Sequence, residues 1–184
     1  MTENSMSARG SKKSFAIVRA ISHRACRGII QLGAMTFPCA LGRAGLRHRK
    51  REGDGATPVG AWPVRSVLYR PDRGPRPSVG SRGKAISPQD GWCDAVGDRN
   101  YNRCVRHPYP ASAEHLWRPD SLYDLVIVLG YNDRPRVQGR GSAIFMHVAR
   151  AGYAPTEGCI ALSRPHLLRF LQLSCRLCAV RIVD

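Results

Sequence analysis

The sequence predicts a strand-dominated domain with few helices, and three observations carry that prediction. Leu125-Val126-Ile127-Val128-Leu129 is an unbroken apolar run closed by Gly130, the pattern of a strand buried on both faces. Ala143-Ile144-Phe145-Met146-His147-Val148 reads as a second central strand, and Cys159-Ile160-Ala161-Leu162 as a short third. Only one stretch has helical spacing: Leu167, Leu168, Phe170 and Leu171, preceded by Ser163 as an N-cap.

Taken in order, residues 1–14 are polar and are expected to form a flexible N-terminal segment, with the ordered domain spanning 15–184. Phe15, Ile17, Ala20 and Ile21, followed by Gly28-Ile29-Ile30-Gln31-Leu32, suit early strands. The run from Arg47 to Pro58 is charged and rich in glycine, which predicts a surface loop. Gly60 to Leu68 reads as a strand, and Pro71 to Asp90, rich in proline and glycine, as a long irregular excursion. Asp90 to Asn102 reads as a polar and aromatic loop able to line a groove or to be tied down by Trp92. Ala179 to Val183 reads as a final strand.

A length of 184 residues suits one domain, and 43% hydrophobic with 23% charged residues excludes a disordered basic tail. The longest uncharged run, Gly28 to Gly42, is interrupted by Gln31, Thr36 and Pro38, so no transmembrane segment is expected. Lys+Arg of 29 against Asp+Glu of 13 gives a net charge of +16. That field favours anionic partners such as nucleic acid, anionic lipid or a wall polymer. No helix-turn-helix, zinc-finger or base-stacking signature accompanies it, so nucleic acid is not the expected partner. Lys12 and Lys13 before Phe15-Ala16-Ile17-Val18 begin like a secretory signal, but Arg19, His23, Arg24 and Arg27 break the apolar stretch, leaving no clear signal peptide.

The seven cysteines cannot all pair within one chain. Cys175-x-x-Cys178 has no second CxxC partner, so no metal site is expected, and the pair reads as core-facing thiols near a helix end. Cys93 and Cys104 flank a loop-like segment and could bridge in an oxidising compartment.

The chemistry-bearing stretch runs from His147 to Cys159. A histidine at the end of a buried strand and a cysteine directly after a glycine, twelve positions on, are joined by a loop containing Gly152 and Pro155 that can fold them together. An imidazole beside a thiol lowers its pKa and supplies the thiolate nucleophile, while Gly158 lets the backbone turn sharply and aim N–H groups at an oxyanion. Residues of both types are also common as inert core groups. His107 and His115, in the loop-rich region, are the next candidates for a base, ahead of His23, His48 and His166.

His147 followed by Thr156-Glu157-Gly158-Cys159-Ile160 resembles the signature of the L,D-transpeptidase catalytic domain (YkuD-type), a strand-end histidine followed after a variable loop by Ser/Thr-x-Gly-Cys. Glu52-Gly53-Asp54-Gly55-Ala56-Thr57-Pro58-Val59-Gly60 is similar to that family's G-x-x-x-T-P-x-G turn. The resemblance covers about Arg47 to Leu162 and implies a β-sandwich with few helices. It implies Cys159 as nucleophile, His147 as general base with its tautomer held by the Val148 carbonyl, and the backbone around Gly158 and Cys159 as oxyanion hole. It further implies acyl transfer from a peptidoglycan stem peptide to an amine through a thioester, no cofactor, a monomer, and a periplasmic or cell-wall location.

Two departures stand out: Glu157 replaces a histidine common before the glycine, and Ala161 an arginine common two positions after the cysteine. Glu157 is either a group that recognises a diamino-acid ammonium or a solvated carboxylate. The candidate substrate-binding residues are Glu157, Thr156, Tyr131, Asn132 and Trp92. Alternative readings are an L,D-carboxypeptidase or amidase-like editing enzyme with the same Cys and His, or a basic wall- or nucleic-acid-binding module with an inert Cys159.

Overall fold

The computed structural model describes residues 14–22, 24–174 and 177–184. The expectations for the N-terminal segment, His23 and Cys175 lie outside the described residues. The strands are β1 (Ser14–Ala20), β2 (Arg27–Leu32), β3 (Met35–Ala40), β4 (Leu46–Arg47), β5 (Thr57–Pro58), β6 (Gly60–Tyr69), β7 (Gly83–Ala85), β8 (Asp90–Cys93), β9 (Arg103–Arg106), β10 (Ala113–His115), β11 (Leu125–Leu129), β12 (Phe145–Val148), β13 (Ile160–Leu162) and β14 (Leu177–Val183). The helix α1 (Arg164–Leu173) separates β13 from β14, and two short 3-10 turns complete the described elements.

The main sheet runs β11-β12-β13-β3-β2-β1-β14-β6-β7, and β11 also pairs with β6. That extra pairing curls the sheet on itself, so its strands enclose a core as a mainly β sandwich. Alternation sorts the side chains: Leu125, Ile127 and Leu129 of β11, Met146 and Val148 of β12, and Ile160 and Leu162 of β13 all point into this core. The helix adds Leu167, Phe170 and Leu171 to it, as the spacing predicts. Ser163 caps the helix, accepting the His166 N–H at 3.4 Å.

The opposite faces of β11 and β12 carry Val126, Val128 and Phe145, which join Ile86, Leu116, Leu122 and Tyr123 in a second core. This is why all five residues of β11 are buried: a strand covered on both faces needs apolar groups at odd and even positions alike. A three-stranded sheet ordered β10-β8-β9 lies on this side, with Trp92 set edge-on against Phe145 at 5.1 Å between ring centroids.

The segment expected as a loop over Asp90 to Asn102 therefore begins as strand β8, pairing with β9 and β10. Its strands are too short and polar to show a period. The irregular excursion after Pro71 holds except for a 3-10 turn and β7, a three-residue strand lying parallel to β6. The loop expected at the surface between Arg47 and Pro58 is in part interior: Lys50, Ala56 and Thr57 are buried. In β8 and β9, Cys93 pairs with Arg103 and Cys104 with Trp92, so the two thiols project from opposite faces and both are free. Among the described residues no helix is long and apolar enough to cross a membrane.

Candidate active site

The outer face of the β12–β13 pair builds the site. These strands are parallel, with Met146 beside Ile160 and His147 beside Ala161. Because Met146 and Ile160 point inward, His147 and Ala161 point outward, and Cys159, two residues before Ala161, takes the same face. His147 and Cys159 are thus diagonal neighbours, and the small Ala161 next to the imidazole leaves room above the pair. Both line a cavity of about 450 Å3 whose other walls include Tyr123, Glu114 and Asp94.

The turn that delivers Cys159 is held from both sides. Thr156 Oγ1 donates to the Cys159 carbonyl at 2.6 Å and accepts the Gly158 N–H at 3.2 Å. Thr156 also bonds the main chain at Leu41 and Arg43, so the turn is stitched to the end of β3. Gly158 has φ +128, and a Cβ there would lie 2.6 Å from the Ala56 carbonyl oxygen. Only glycine fits. Underneath, Lys50 Nζ meets Asp54 Oδ1 at 2.7 Å with both side chains buried, and Asp54 also accepts the Arg51 and Ala56 N–H groups. Thr57 Oγ1 accepts the Gly42 N–H at 2.8 Å. The Gly-Asp-Gly-Ala-Thr-Pro segment is thus the floor of the cysteine turn, which explains why the two sequence motifs belong together.

His147 Nδ1 lies 2.9 Å from the Val148 carbonyl oxygen. A carbonyl only accepts, so Nδ1 carries the proton and Nε2 keeps its lone pair. Tyr123 sets its ring edge-on to the imidazole at 5.4 Å. Burial lowers the His147 pKa from 6.5 to about 4, opposed by the Val148 hydrogen bond. Burial likewise pushes the Cys159 thiol from 9.0 up to about 12, assisted by the negative field of Glu114 and opposed by the Phe145 N–H and by Lys50. The resting pair is therefore neutral thiol and neutral imidazole, not the thiolate that an adjacent imidazole alone suggests; desolvation outweighs the partner. Consistent with a thiol, Sγ donates to the Ala143 carbonyl at 3.2 Å and receives the Phe145 N–H at 3.3 Å. Gly158 N–H is engaged by Thr156, whereas Cys159 N–H has no hydrogen bond among the described residues and is free to meet a substrate oxygen.

Of the residues read as substrate-binding, Thr156 and Glu157 line the cavity and Tyr131, Asn132 and Trp92 do not. Glu157 is paired with Arg43 at 2.8 Å on the exposed rim. Trp92 Nε1 donates to Asn102 Oδ1, and Asn102 Nδ2 donates to the carbonyls of Tyr131 and Asn132. Asn102 Oδ1 also accepts the Ala143 N–H, so this cluster buttresses the residue whose carbonyl holds Sγ. Tyr131 packs edge-on against Trp62, and the Asn132 side chain closes its own loop on Val137 and Gly141. His107 and His115 are also absent from the cavity wall; they stack on each other at 3.6 Å.

Sequence reading missed Glu114, Tyr123, Arg118 and Arg150 on the cavity wall, whereas Asp94, also on that wall, lies in the segment read as able to line a groove. Strand pairing, not local sequence, brings the first of these to the wall of the cavity that holds the cysteine. Among the described residues no cluster of three or more metal-ligating side chains forms.

A family model described as the L,D-transpeptidase catalytic domain (YkuD) matches residues 29–174. The search of curated proteins finds no match. Among solved structures, L,D-transpeptidase 1 of Mycobacterium tuberculosis is similar at 12% identity and a TM-score of 0.37, over 93% of this chain and 63% of that one. The chain thus spans less than two thirds of that protein's length. The family match, by contrast, takes in most of this chain, from β2 past the cysteine turn to the end of α1, and the chain belongs to the L,D-transpeptidase catalytic-domain (YkuD) family.

Proposed function

We propose that this chain is a cysteine-dependent peptidoglycan L,D-transpeptidase, with Cys159 as nucleophile, His147 as base and the backbone at Gly158–Cys159 as oxyanion site. The observation that carries the reading is the placement of His147 and Cys159 on one face of β12–β13, in one cavity, with Nε2 left as the basic nitrogen.

In this reading a stem peptide enters the cavity and its L-to-D peptide carbonyl lies over Sγ. The thiol proton passes to His147 Nε2 as sulfur attacks carbon, and the carbonyl oxygen becomes an oxyanion facing the Cys159 N–H. Collapse breaks the C–N bond, the imidazolium returns its proton to the departing amine of the terminal D-residue, and a thioester remains. An acceptor amine then attacks the thioester, His147 takes its proton, and the thiolate leaves and is reprotonated. Neutral resting forms suit this sequence, because charge appears only when substrate has displaced water and the imidazolium and oxyanion stabilise one another.

Thr156 and Gly158 serve as positioning residues for the turn, and Trp92, Tyr131 and Asn132 act through Asn102 and Ala143. The place of action is the periplasm or cell wall, the working form is a monomer, and the positive charge meets the anionic wall polymer instead of nucleic acid. Mass spectrometry of muropeptides after incubation with the purified protein tests the reading. Loss of a terminal D-residue together with cross-linked dimer supports it. Trimmed monomer alone identifies water as the acceptor, and an unchanged muropeptide profile overturns the assignment.

A further inference from the structure

Three acceptor oxygens lining the cavity have no hydrogen-bond partner among the described residues. Glu114 stands on β10 and Asp94 directly follows the neighbouring β8; Cys93 pairs with Ala113 and Trp92 with Glu114, and the Asp94 N–H continues the line by donating to the Ser112 carbonyl at 3.3 Å. That register puts the Asp94 and Glu114 side chains diagonally opposed on the same face, the one from which Trp92 contacts Phe145. Both line the cavity. Tyr123 donates to one Glu114 oxygen at 2.7 Å, leaving the other without a hydrogen bond among the described residues. Asp94 Oδ1 is buried and has no partner. The third group is independent of the carboxylates: Ser142, only 6% exposed, lines the same cavity and its Oγ has no partner.

Buried oxygens without partners are uncommon in a finished fold, and in a cavity they mark where a ligand's donors belong. Two carboxylates and a hydroxyl ask for a compact group with several N–H donors and a positive charge. A primary ammonium, with three donors, meets that description. Glu157, by contrast, has its charge engaged by Arg43. Arg118 lies near Glu114, but its guanidinium is bound to Asp120 at 2.9 and 2.7 Å. Burial, together with the Asp94 and Asp120 charges, raises the Glu114 pKa above the usual carboxylate range, and a bound cation would relieve that cost.

We propose that Asp94, Glu114 and Ser142 form a subsite that holds the acceptor as its ammonium and takes one proton from it onto the Glu114 carboxylate, which later releases that proton to solvent; the freed amine beside Cys159 then attacks the thioester in preference to water, its second proton passing to His147. This rests on the acyl-transfer reading of the cavity. Asp94, Glu114 and Ser142 share one cavity with Cys159, and the Ala143 carbonyl next to Ser142 accepts from Sγ at 3.2 Å, which sets the subsite beside the reacting sulfur.

The test has a binding arm and a product arm. Calorimetry on the Cys159→Ala protein compares a tripeptide stem bearing a free diamino-acid side-chain amine with the same tripeptide acetylated at that amine. At least tenfold weaker binding of the acetylated peptide is expected, with the difference shrinking in high salt. In wild type against Glu114→Gln and Asp94→Asn, the ratio of cross-linked to hydrolysed product is expected to fall at least threefold. Equal binding of the two peptides overturns the subsite whatever the variants do, as does an unchanged product ratio in folded variants. If the variants do not fold, the two peptides on the Cys159→Ala protein decide alone. A wild-type protein that consumes no donor refutes the acyl-transfer reading, while the binding arm still returns its own answer.

Discussion

The α-carbon of Gly158 faces the carbonyl oxygen of Ala56 so closely that a Cβ on Gly158 would sit 2.6 Å from it. This contact locks the cysteine turn onto its floor. Gly158→Ala meets both that clash and a φ of +128 that L side chains rarely adopt. A stability loss of roughly 1–3 kcal/mol by thermal denaturation is expected, and turnover should fall further than stability because Cys159 moves with the turn.

The floor itself depends on an ion pair that is sensitive to the removal of one partner. Lys50→Ala leaves Asp54 buried beside an empty space, and breaking a buried pair from one side costs about 3–5 kcal/mol. Arg43→Ala removes a pair whose members are 58% and 76% exposed, and less than about 1 kcal/mol is expected there. Chemical denaturation of the two variants side by side checks the contrast.

Much of this was legible before the structure. The apolar run Leu125–Leu129, the cap at Ser163 and the strand pattern around His147 each carry their own local signal, while the placement of Cys159 on the His147 face also needs the parallel register of β12 and β13. What escaped was made by pairing across distance. Glu114 lies in a three-residue polar strand with no period, and only the β8–β10 register brings it beside Asp94, twenty positions earlier at the end of β8. The burial of Lys50 was hidden for a similar reason: its segment has turn composition, and its partner surface is the 156–158 turn. The low acidity of the Cys159 thiol depends on burial, which residue spacing does not report.

Thr156→Val deletes the hydroxyl that donates to the Cys159 carbonyl and accepts the Gly158 N–H. A drop in kcat of tenfold or more is expected with KM little changed, and Thr156→Ser should restore most of it. Steady-state kinetics on a muropeptide donor separates this positioning role from a merely structural one, which would appear as lost folded protein in all variants.

The pH dependence of stability follows from His147. Its pKa is about 4 when folded against an ordinary value of 6.5, so between these values the unfolded chain binds a proton that the folded chain refuses. The stabilising contribution is complete above about 6.5 and is lost as pH falls towards 4. Denaturation midpoints are therefore expected to decline across that window in wild type, and more shallowly in His147→Gln.

The most direct test of the central claim is intact-mass analysis during turnover of a stem-tetrapeptide donor, followed by peptide mapping. One acyl adduct per chain is expected, carried by Cys159 and absent from Cys159→Ala, with turnover abolished in that variant. Turnover by folded Cys159→Ala, or an adduct mapping to Cys39, Cys93 or Cys104, would contradict the assignment of Cys159 as nucleophile.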